Sequence, residues 1–285
     1  MKNADFRVIL LRPRWLLALA LLLCTTFMWA QENSQTADDI ARELSNPVGS
    51  KASIILQGNY AKWAGSARDI GSQNTSSLIL MPTIPVPLKK GNLIFRPSLP
   101  FSGGLHLNDN LQWEKKRGIG DVGLIAMYGY NFPNGIVLGG GPAMFFPTGN
   151  EFLGKQQFQI GPSVVFAYIQ KWGVVGGLWQ HYFGVGEPPA GEDNINTGTL
   201  QLFYWFGIGN GWQIGGSPNM SANYITAVDT DFSVPLNLGL AKTVILGKLP
   251  LKLTLQGQYF VTRPDFAGPS WGIFFQITPV INLPW

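Results

Sequence analysis

The sequence has almost no cysteine, few charges and no long apolar run after its first residues. Its single cysteine, Cys24, lies in the first 30 residues, so a disulfide framework is excluded for the remainder. Charged residues make up 13% of the chain, well below the roughly 25% of ordinary soluble domains. With two histidines and no later cysteine, neither a metal site nor a cofactor is expected.

The first 30 residues predict a secretory signal peptide. Basic residues precede a short apolar run, WLLALALLL at 15–23, which is about half of the roughly 20 residues that a spanning helix needs. Cleavage is predicted between Ala30 and Gln31. A membrane anchor and a lipoprotein site at Cys24 are the weaker alternatives.

Removal of residues 1–30 would leave 16 basic and 15 acidic residues, a net charge of +1. The high isoelectric point therefore belongs to the predicted signal. Because no basic stripe with interleaved aromatics appears, binding to nucleic acid is not expected.

Residues 31–49 predict a short N-terminal periplasmic helical segment. Thr36 is a suitable N-cap, Ile40 and Leu44 lie four residues apart, and Asn46-Pro47 ends the pattern. The helix is either a lead-in to the rest of the chain or a plug inserted into the fold that the rest of the chain forms; the lead-in is favoured.

From residue 50 onward the apolar residues alternate with a period of two, in about twelve segments. The clearest is 249–261, where Leu251, Leu253 and Leu255 alternate with Lys252, Thr254 and Gln256. Connections alternate between short turns and long loops, the long ones near 63–75, 103–117, 147–156, 184–197, 217–230 and 263–269. This arrangement is typical of outer-membrane barrels.

The charge pattern favours a membrane barrel over an exported soluble sandwich. On the faces assigned outward, the only charges are Lys62 and Lys242, each near the end of its segment. A charge in the middle of a lipid-facing strand would cost about 2–4 kcal/mol, whereas a soluble sheet would carry many. We therefore predict an all-β fold, an antiparallel transmembrane β-barrel over 50–285 of about twelve strands, with ten or fourteen as alternatives.

The opposite faces supply candidates for the lumen and its selectivity: Arg96, Asp121, Gln157, Gln159, Gln201, Lys252, Gln256 and Gln258. So few charges favour neutral or moderately apolar solutes. Large side chains on the same faces, Phe145, Phe203, Trp205 and Phe274, predict a lumen that is narrow or filled.

Prolines argue against regular strands. Pro82, Pro85, Pro87, Pro97, Pro142, Pro162, Pro235 and Pro279 lie inside predicted strands, and each removes a ladder donor. Bulges or bends are the expected accommodation.

Several other patterns have ordinary explanations. GIGDVG at 118–123 matches a dinucleotide motif but lacks the following helix. His106, near Asp109 in a predicted loop, and His181 have no local motif that ties them to a nucleophile. The tryptophans, Trp63, Trp113, Trp172, Trp179, Trp205, Trp212, Trp271 and Trp285, fall mostly near segment ends and predict interfacial girdles.

The chain ends in WGIFFQITPVINLPW, with apolar residues at alternate positions up to a terminal aromatic. Ile277, Ile281, Leu283 and Trp285 resemble the C-terminal signal that outer-membrane barrels present to their assembly machinery. The segment is predicted to be the closing strand, which must pair with the first one to leave no edge in lipid.

Six stretches together resemble one family: ELSNPVGS (43–50), GDVG (120–123), GGGPAMFFPTG (139–149), QIGPSVV (159–165), VPLNLGLAK (234–242) and RPDFAGPSWGIFFQITPV (263–280). It is a group of bacterial outer-membrane barrels labelled as transporters, related to the family named for the meta-pathway of phenol degradation; some members carry the misleading label neuromedin U. The resemblance covers about residues 40–285. It implies a barrel in the Gram-negative outer membrane and, by association, passage of small organic or aromatic compounds, and it supplies no catalytic residues.

The resulting expectation is a passive channel for small solutes and not an enzyme. Its expected partners are outer-membrane lipid and lipopolysaccharide, the barrel-assembly machinery and a small-molecule solute. Two alternatives stay open: a closed structural or adhesive barrel, and a membrane-embedded lipid hydrolase that uses His106 or His181.

Overall fold

The computed structural model describes residues 36–108, 110–224 and 231–281. Within these ranges no helix is long and apolar enough to cross a membrane. The predicted signal peptide, its cleavage site at Ala30–Gln31, and Asp109, Leu283 and Trp285 lie outside the described residues.

One α-helix, α1 (Ala37–Leu44), precedes the strands, and a 3₁₀ turn lies at Ile70–Ser72. The strands of the described residues are β1 (Ala52–Ala64), β2 (Asn74–Pro87), β3 (Asn92–Leu107), β4 (Trp113–Ile119), β5 (Val122–Asn131), β6 (Ile136–Phe146), β7 (Phe158–Gln170), β8 (Gly173–Val185), β9 (Asn196–Gly209), β10 (Trp212–Gly216), β11 (Asn219–Asn223), β12 (Asp231–Leu246), β13 (Leu249–Thr262) and β14 (Gly268–Ile281).

These strands form one closed antiparallel sheet. Most strands pair with the strands before and after them in sequence, and β14 returns to pair with β1 from Ala52↔Ile281 to Ala64↔Gly268. Along this closed path each strand has a partner on both sides, which is the condition for a sheet surrounded by lipid. Off the path, β4 pairs with β3 alone within the described residues. The predicted all-β barrel is confirmed.

Two positions around the barrel are each occupied by two consecutive strands. β3 pairs with β4 along Phe101–Leu107 and with β5 along Asn92–Ser98. Likewise β10 and β11 both lie between β9 and β12. The fourteen strands of the described chain therefore occupy twelve positions, and the predicted number of twelve is confirmed.

Two regions that were predicted to be loops contain β-strands. Residues 103–107 and 113–119 continue as a β3–β4 hairpin, and residues 219–223 form β11. In β4 the charged residues run together at 114–117, and β11 is only five residues long with Met220 and Ala222 as its apolar residues, so the period of two was interrupted in the first and short in the second.

The prolines are accommodated mainly by gaps in the pairing, without a change of register. Pairs are absent beside Pro82 and Pro97 (β2–β3), beside Pro142 (β5–β6), beside Pro162 (β7–β8) and beside Pro279 (β1–β14). A strand residue bonds mainly to one neighbour, so a proline costs pairing on one side only. Pro85 and Pro87 lie past the last pair of β2 with β1, and Pro235 lies at a register shift. The expected bulges are thus the exception.

The outer surface of the barrel is a broad apolar belt. Leu238 is 66% exposed and Leu255 is 56% exposed, each near the middle of its strand. The outward Lys242 lies near the end of β12, where its ammonium donates to the carbonyl of Asn210 and stands 5.0 Å from the Trp212 ring. Polar side chains such as Gln213, Asn237 and Gln256 are buried on the inner face. Apolar side chains outside and polar side chains inside are the reverse of the arrangement in a water-soluble barrel, and they are typical of a barrel surrounded by lipid.

Candidate functional site: the barrel lumen

The barrel encloses a cavity of about 560 Å³. Because side chains alternate along each strand, the strands that line it do so mainly with the residues of one face; these are β1, β2, β3, β5, β6, β8, β9, β11, β13 and β14. Five of the predicted lumen residues line the cavity: Arg96, Gln201, Lys252, Gln256 and Gln258. They come from β3, β9 and β13, so the fold brings them together from distant parts of the chain.

The other three predicted lumen residues lie outside the cavity lining. The buried carboxylate of Asp121 accepts from the backbone amides of Gly149 (3.0 Å) and Lys155 (2.7 Å). Gln157 donates to the carbonyl of Gly186 and to Asn194. Gln159 is buried. Asp121 and Gln157 therefore anchor the long loops, a role that the alternation pattern could not distinguish from lining a lumen.

Aromatic rings form one part of the lumen wall. Phe145, Tyr182, Phe203, Trp205 and Phe274 all line the cavity, and the Phe145 and Tyr182 rings lie 4.9 Å apart. The four large inward side chains predicted from the sequence are among them. Trp205 is 5% exposed and its indole N–H donates to Ser217 at 2.9 Å, so its assignment to an interfacial girdle was wrong.

The N-terminal segment, defined here as residues 36–51, packs into the short-turn end of the barrel. Thr36 caps α1 as predicted, its hydroxyl accepting from the amide of Asp39. Ile40 and Ala41 are buried, and the carboxylate of Asp38 accepts from the backbone amide of Gly211. Gly211 has φ +75°, and a Cβ there would meet the carbonyl of Thr243 at 2.4 Å and Ala37 at 3.0 Å.

Val48 fixes the end of this segment. It is fully buried in a cluster with Ile94, Met127, Val137, Val165, Ala167 and Leu178. Its side chain lies directly over Gly129, where a Cβ would come within 2.4 Å of it, and Asn92 donates to its carbonyl at 3.1 Å. These contacts hold residues 45–48 against the inner wall of the barrel, and for this reason the N-terminal segment is also called the plug below.

Two lumen cations hold the same short stretch of that segment. The ammonium of Lys252 donates to the hydroxyl of Ser45 at 2.7 Å, and the guanidinium of Arg96 donates to the carbonyl of Pro47 at 3.3 Å. These partners are far apart in sequence and their pairing has no local pattern. The plug is therefore attached to the charges of the wall as well as to its apolar core.

The charge of the lumen is unbalanced toward the positive. Among the described residues, the charged side chains that line the cavity are Glu43, Lys51, Arg96 and Lys252. Glu43 accepts from Ser50 within the N-terminal segment. None of the ion pairs found in the described chain involves Arg96 or Lys252, and the hydrogen bonds found there for both go to neutral oxygens.

Outside the strands, the pKa of Asp39 in α1 is shifted from its ordinary value. Its carboxylate is held by the Thr36 hydroxyl at 2.6 Å and lies beside the Arg42 guanidinium, and both lower the pKa of Asp39 below its ordinary value. The ionised form is thus the one that the capped helix stabilises.

The two histidines lie away from the lumen lining. The ring of His106 contacts Phe152 at 4.8 Å. The ring of His181 stacks on Tyr224 and contacts Phe183, and its Nε2 lies 2.7 Å from Asn196 Oδ1. No group of metal ligands is found in the described ranges.

The predicted assembly signal is described only in part. Ile277 and Ile281 lie on β14 and pair with Leu56 and Ala52 of β1, which places them on the seam that closes the barrel.

No family model matches the chain, and no curated protein matches its sequence. Among solved structures, the chain is similar to an outer membrane channel from Pseudomonas putida F1, with 14% identity, a TM-score of 0.61, and coverage of 89% of this chain and 100% of the channel. A second is the NanC porin, with 11% identity, a TM-score of 0.49, and coverage of 81% of this chain and 100% of the porin. At such identities, the similarity to the Pseudomonas channel shows that the two chains share a barrel fold.

Proposed function

We propose that this protein is an outer-membrane channel for passive passage of small solutes in a Gram-negative bacterium. The observation that carries the proposal is a closed barrel with an apolar belt outside and a cavity of about 560 Å³ inside, lined by polar and aromatic side chains. Its selectivity residues would be those that line this cavity: Arg96, Gln201, Lys252, Gln256 and Gln258. The resemblance to barrels linked with phenol degradation supports organic or aromatic solutes.

Passage requires the N-terminal segment to move. With Val48 buried and Ser45 and Pro47 bonded to the wall, the segment obstructs the short-turn end. In this proposal the segment narrows the channel in this conformation, and the channel opens when the segment leaves the wall.

The same plug favours the competing function, a closed structural or adhesive barrel. Planar bilayers and liposome swelling with small sugars and phenols separate the two. We expect conductance and swelling to be low for the natural protein and to rise when the buried contact of Val48 is weakened. If neither the natural protein nor a variant lacking residues 36–49 passes ions or solutes, the channel proposal is rejected.

A lipid hydrolase has little support, because the ring of His181 is engaged by Asn196 and Tyr224. Assays of phospholipid hydrolysis with the natural protein and with His106→Ala and His181→Ala decide the matter. We expect no activity; hydrolysis that either substitution abolishes would establish the enzyme instead.

We also propose that the apolar belt contacts outer-membrane lipid and lipopolysaccharide, and that the assembly machinery binds the C-terminal strand through Ile277, Ile281, Leu283 and Trp285. Ile277→Asp should block insertion, whereas Gln276→Asp, which faces the cavity, should not. Insertion is measured by heat-modifiable gel migration of the membrane fraction.

A further inference from the structure

The short-turn half of the lumen contains two cations without an anionic partner. Lys252 is 5% exposed, and neither it nor Arg96 takes part in an ion pair within the described chain. A charged group taken out of water is stabilised best by an opposite charge with hydrogen bonds. Here each cation meets one or two neutral oxygens, which leaves donors on both available to an anion.

Both cations reach the same short stretch of the N-terminal segment. They bind oxygens of Ser45 and Pro47, residues whose Cα atoms can be at most about 7 Å apart. The wall between them, formed by β2, β1 and β14, presents three buried hydroxyls, those of Thr83, Ser53 and Thr278. Arg96 already takes Thr83 as a partner at 3.2 Å. Two cations and a row of hydroxyls are the donor set that a carboxylate requires.

An apolar surface adjoins these donors. The ammonium of Lys252 stands 5.4 Å from the centre of the Trp205 ring, and Phe203 and Phe274 line the same cavity. A ligand whose carboxylate reaches Lys252 would therefore lay its remaining atoms against aromatic rings. The cavity of about 560 Å³ admits a compound the size of a substituted benzoate.

We propose that the lumen binds a small organic carboxylate with a flat apolar body, its charged group on Lys252 and Arg96 and its body against Trp205. This rests on the proposed channel function and names the class of solute. Because a carboxylate is a stronger acceptor than the neutral oxygens of Ser45 and Pro47, the two cations would turn toward it, and its binding competes with docking of the N-terminal segment. A solute of the right chemistry thus loosens the plug that obstructs its own passage.

Binding to the full chain in detergent at low salt provides the direct test, with benzoate and its uncharged analogue benzyl alcohol followed by calorimetry. We expect benzoate to bind at least tenfold more tightly, because a hydrogen bond to a charged group contributes about 1.5–3 kcal/mol. Lys252→Met should weaken benzoate about tenfold and leave benzyl alcohol unchanged. Arg96→Met should act in the same direction. The matched control is Lys242→Met, which removes the same charge from the outer surface.

Ser45→Ala should instead strengthen the binding of benzoate. It frees the Lys252 ammonium without touching the barrel wall, so benzoate should bind severalfold more tightly. Equal affinity for benzoate and benzyl alcohol would overturn the proposal, as would an equal loss in Lys242→Met and Lys252→Met. If inorganic phosphate bound more tightly than benzoate, the proposed contact between the apolar body of the ligand and Trp205 would be overturned.

Different experimental results would overturn the proposed carboxylate site and the proposed channel function. Liposomes that admit neutral sugars but in which Lys252→Met and Arg96→Met leave benzoate entry unchanged would overturn the carboxylate site and leave the channel standing. A protein that binds benzoate as expected but passes no solute, even without residues 36–49, would overturn the channel and leave the binding site.

Discussion

Replacement of Val48 by Ala should release the N-terminal segment. Val48 is fully buried and packs among six wall residues, so the substitution deletes two buried methyl groups from the plug. With the cavity left behind, each methyl group is worth about 1 kcal/mol, or about 2 kcal/mol in total. Docking weakened by that amount raises the undocked fraction about 30-fold.

Maleimide labelling of an engineered cysteine measures this release. The only natural cysteine, Cys24, lies in the predicted signal peptide, and Ala41 is 2% exposed in the docked helix. In an Ala41→Cys background, we expect Val48→Ala to raise the labelling rate about 30-fold, because labelling follows the open population when closing is fast. Channel openings in planar bilayers should become more frequent in parallel.

Val174→Ala is the matched control. Val174 is as deeply buried as Val48 but lies on β8, outside the cluster around the plug. The same two methyl groups are lost, so barrel stability should fall while labelling at residue 41 stays unchanged. The reasoning is refuted if Val48→Ala leaves the rate unchanged, or if Val174→Ala raises it equally.

Three further predictions concern the helix, a turn and the lipid face. Gly211→Ala should also accelerate labelling, by about 5- to 30-fold, because it weakens docking of the helix by about 1–2 kcal/mol. Gly209→Ala is the control: its φ of +93° is equally strained, but no atom lies within 4 Å of its Cβ, so labelling should not change. Equal rates in the two variants would contradict the contact between Gly211 and the helix. Because the pKa of Asp39 is lowered on folding, the helix gains stability above the ordinary carboxyl pKa and loses it as the pH falls through the lowered value; labelling should rise in that acidic window, and Asp39→Asn should abolish the pH dependence. Leu238→Lys should destabilise the barrel by about 2–4 kcal/mol and Leu246→Lys, at a strand end, by about 0–1, as measured by urea unfolding in lipid; equal losses would contradict the membrane placement.

The barrel was predictable because its determinants are local. Along 249–261 each residue's face follows from its parity, and β13 pairs as that parity requires, with Leu253↔Ile277 and Leu255↔Phe275. The start of the helix was likewise predictable from the local sequence, because Thr36 is a suitable N-cap for the residues that follow it. The prediction missed β11, because its five residues NMSAN alternate over too short a stretch to stand out from a loop.

The position of the plug was not predictable from the sequence. Lys252 and Ser45 are 207 residues apart, and Val48 meets Gly129 only after both lie on the closed barrel. An amphipathic stretch that ends in Asn-Pro fits a free lead-in equally well. Trp205 was misplaced for a similar reason, since its nearness to a strand end suggested an interface while its parity pointed inward.

The proline gaps also determine how the closing seam responds to mechanical load. Between β1 and β14 the pairs run unbroken from Leu56↔Ile277 to Lys62↔Trp271, while among the residues described up to Ile281 the pairs on the other side of Pro279 are Ala52↔Ile281 and Ser53↔Val280. That isolated two-pair stretch directly follows the N-terminal segment in the chain. Tension on the segment therefore peels apart two ladder pairs before it meets the continuous part of the seam, and amide hydrogen exchange should be fastest there.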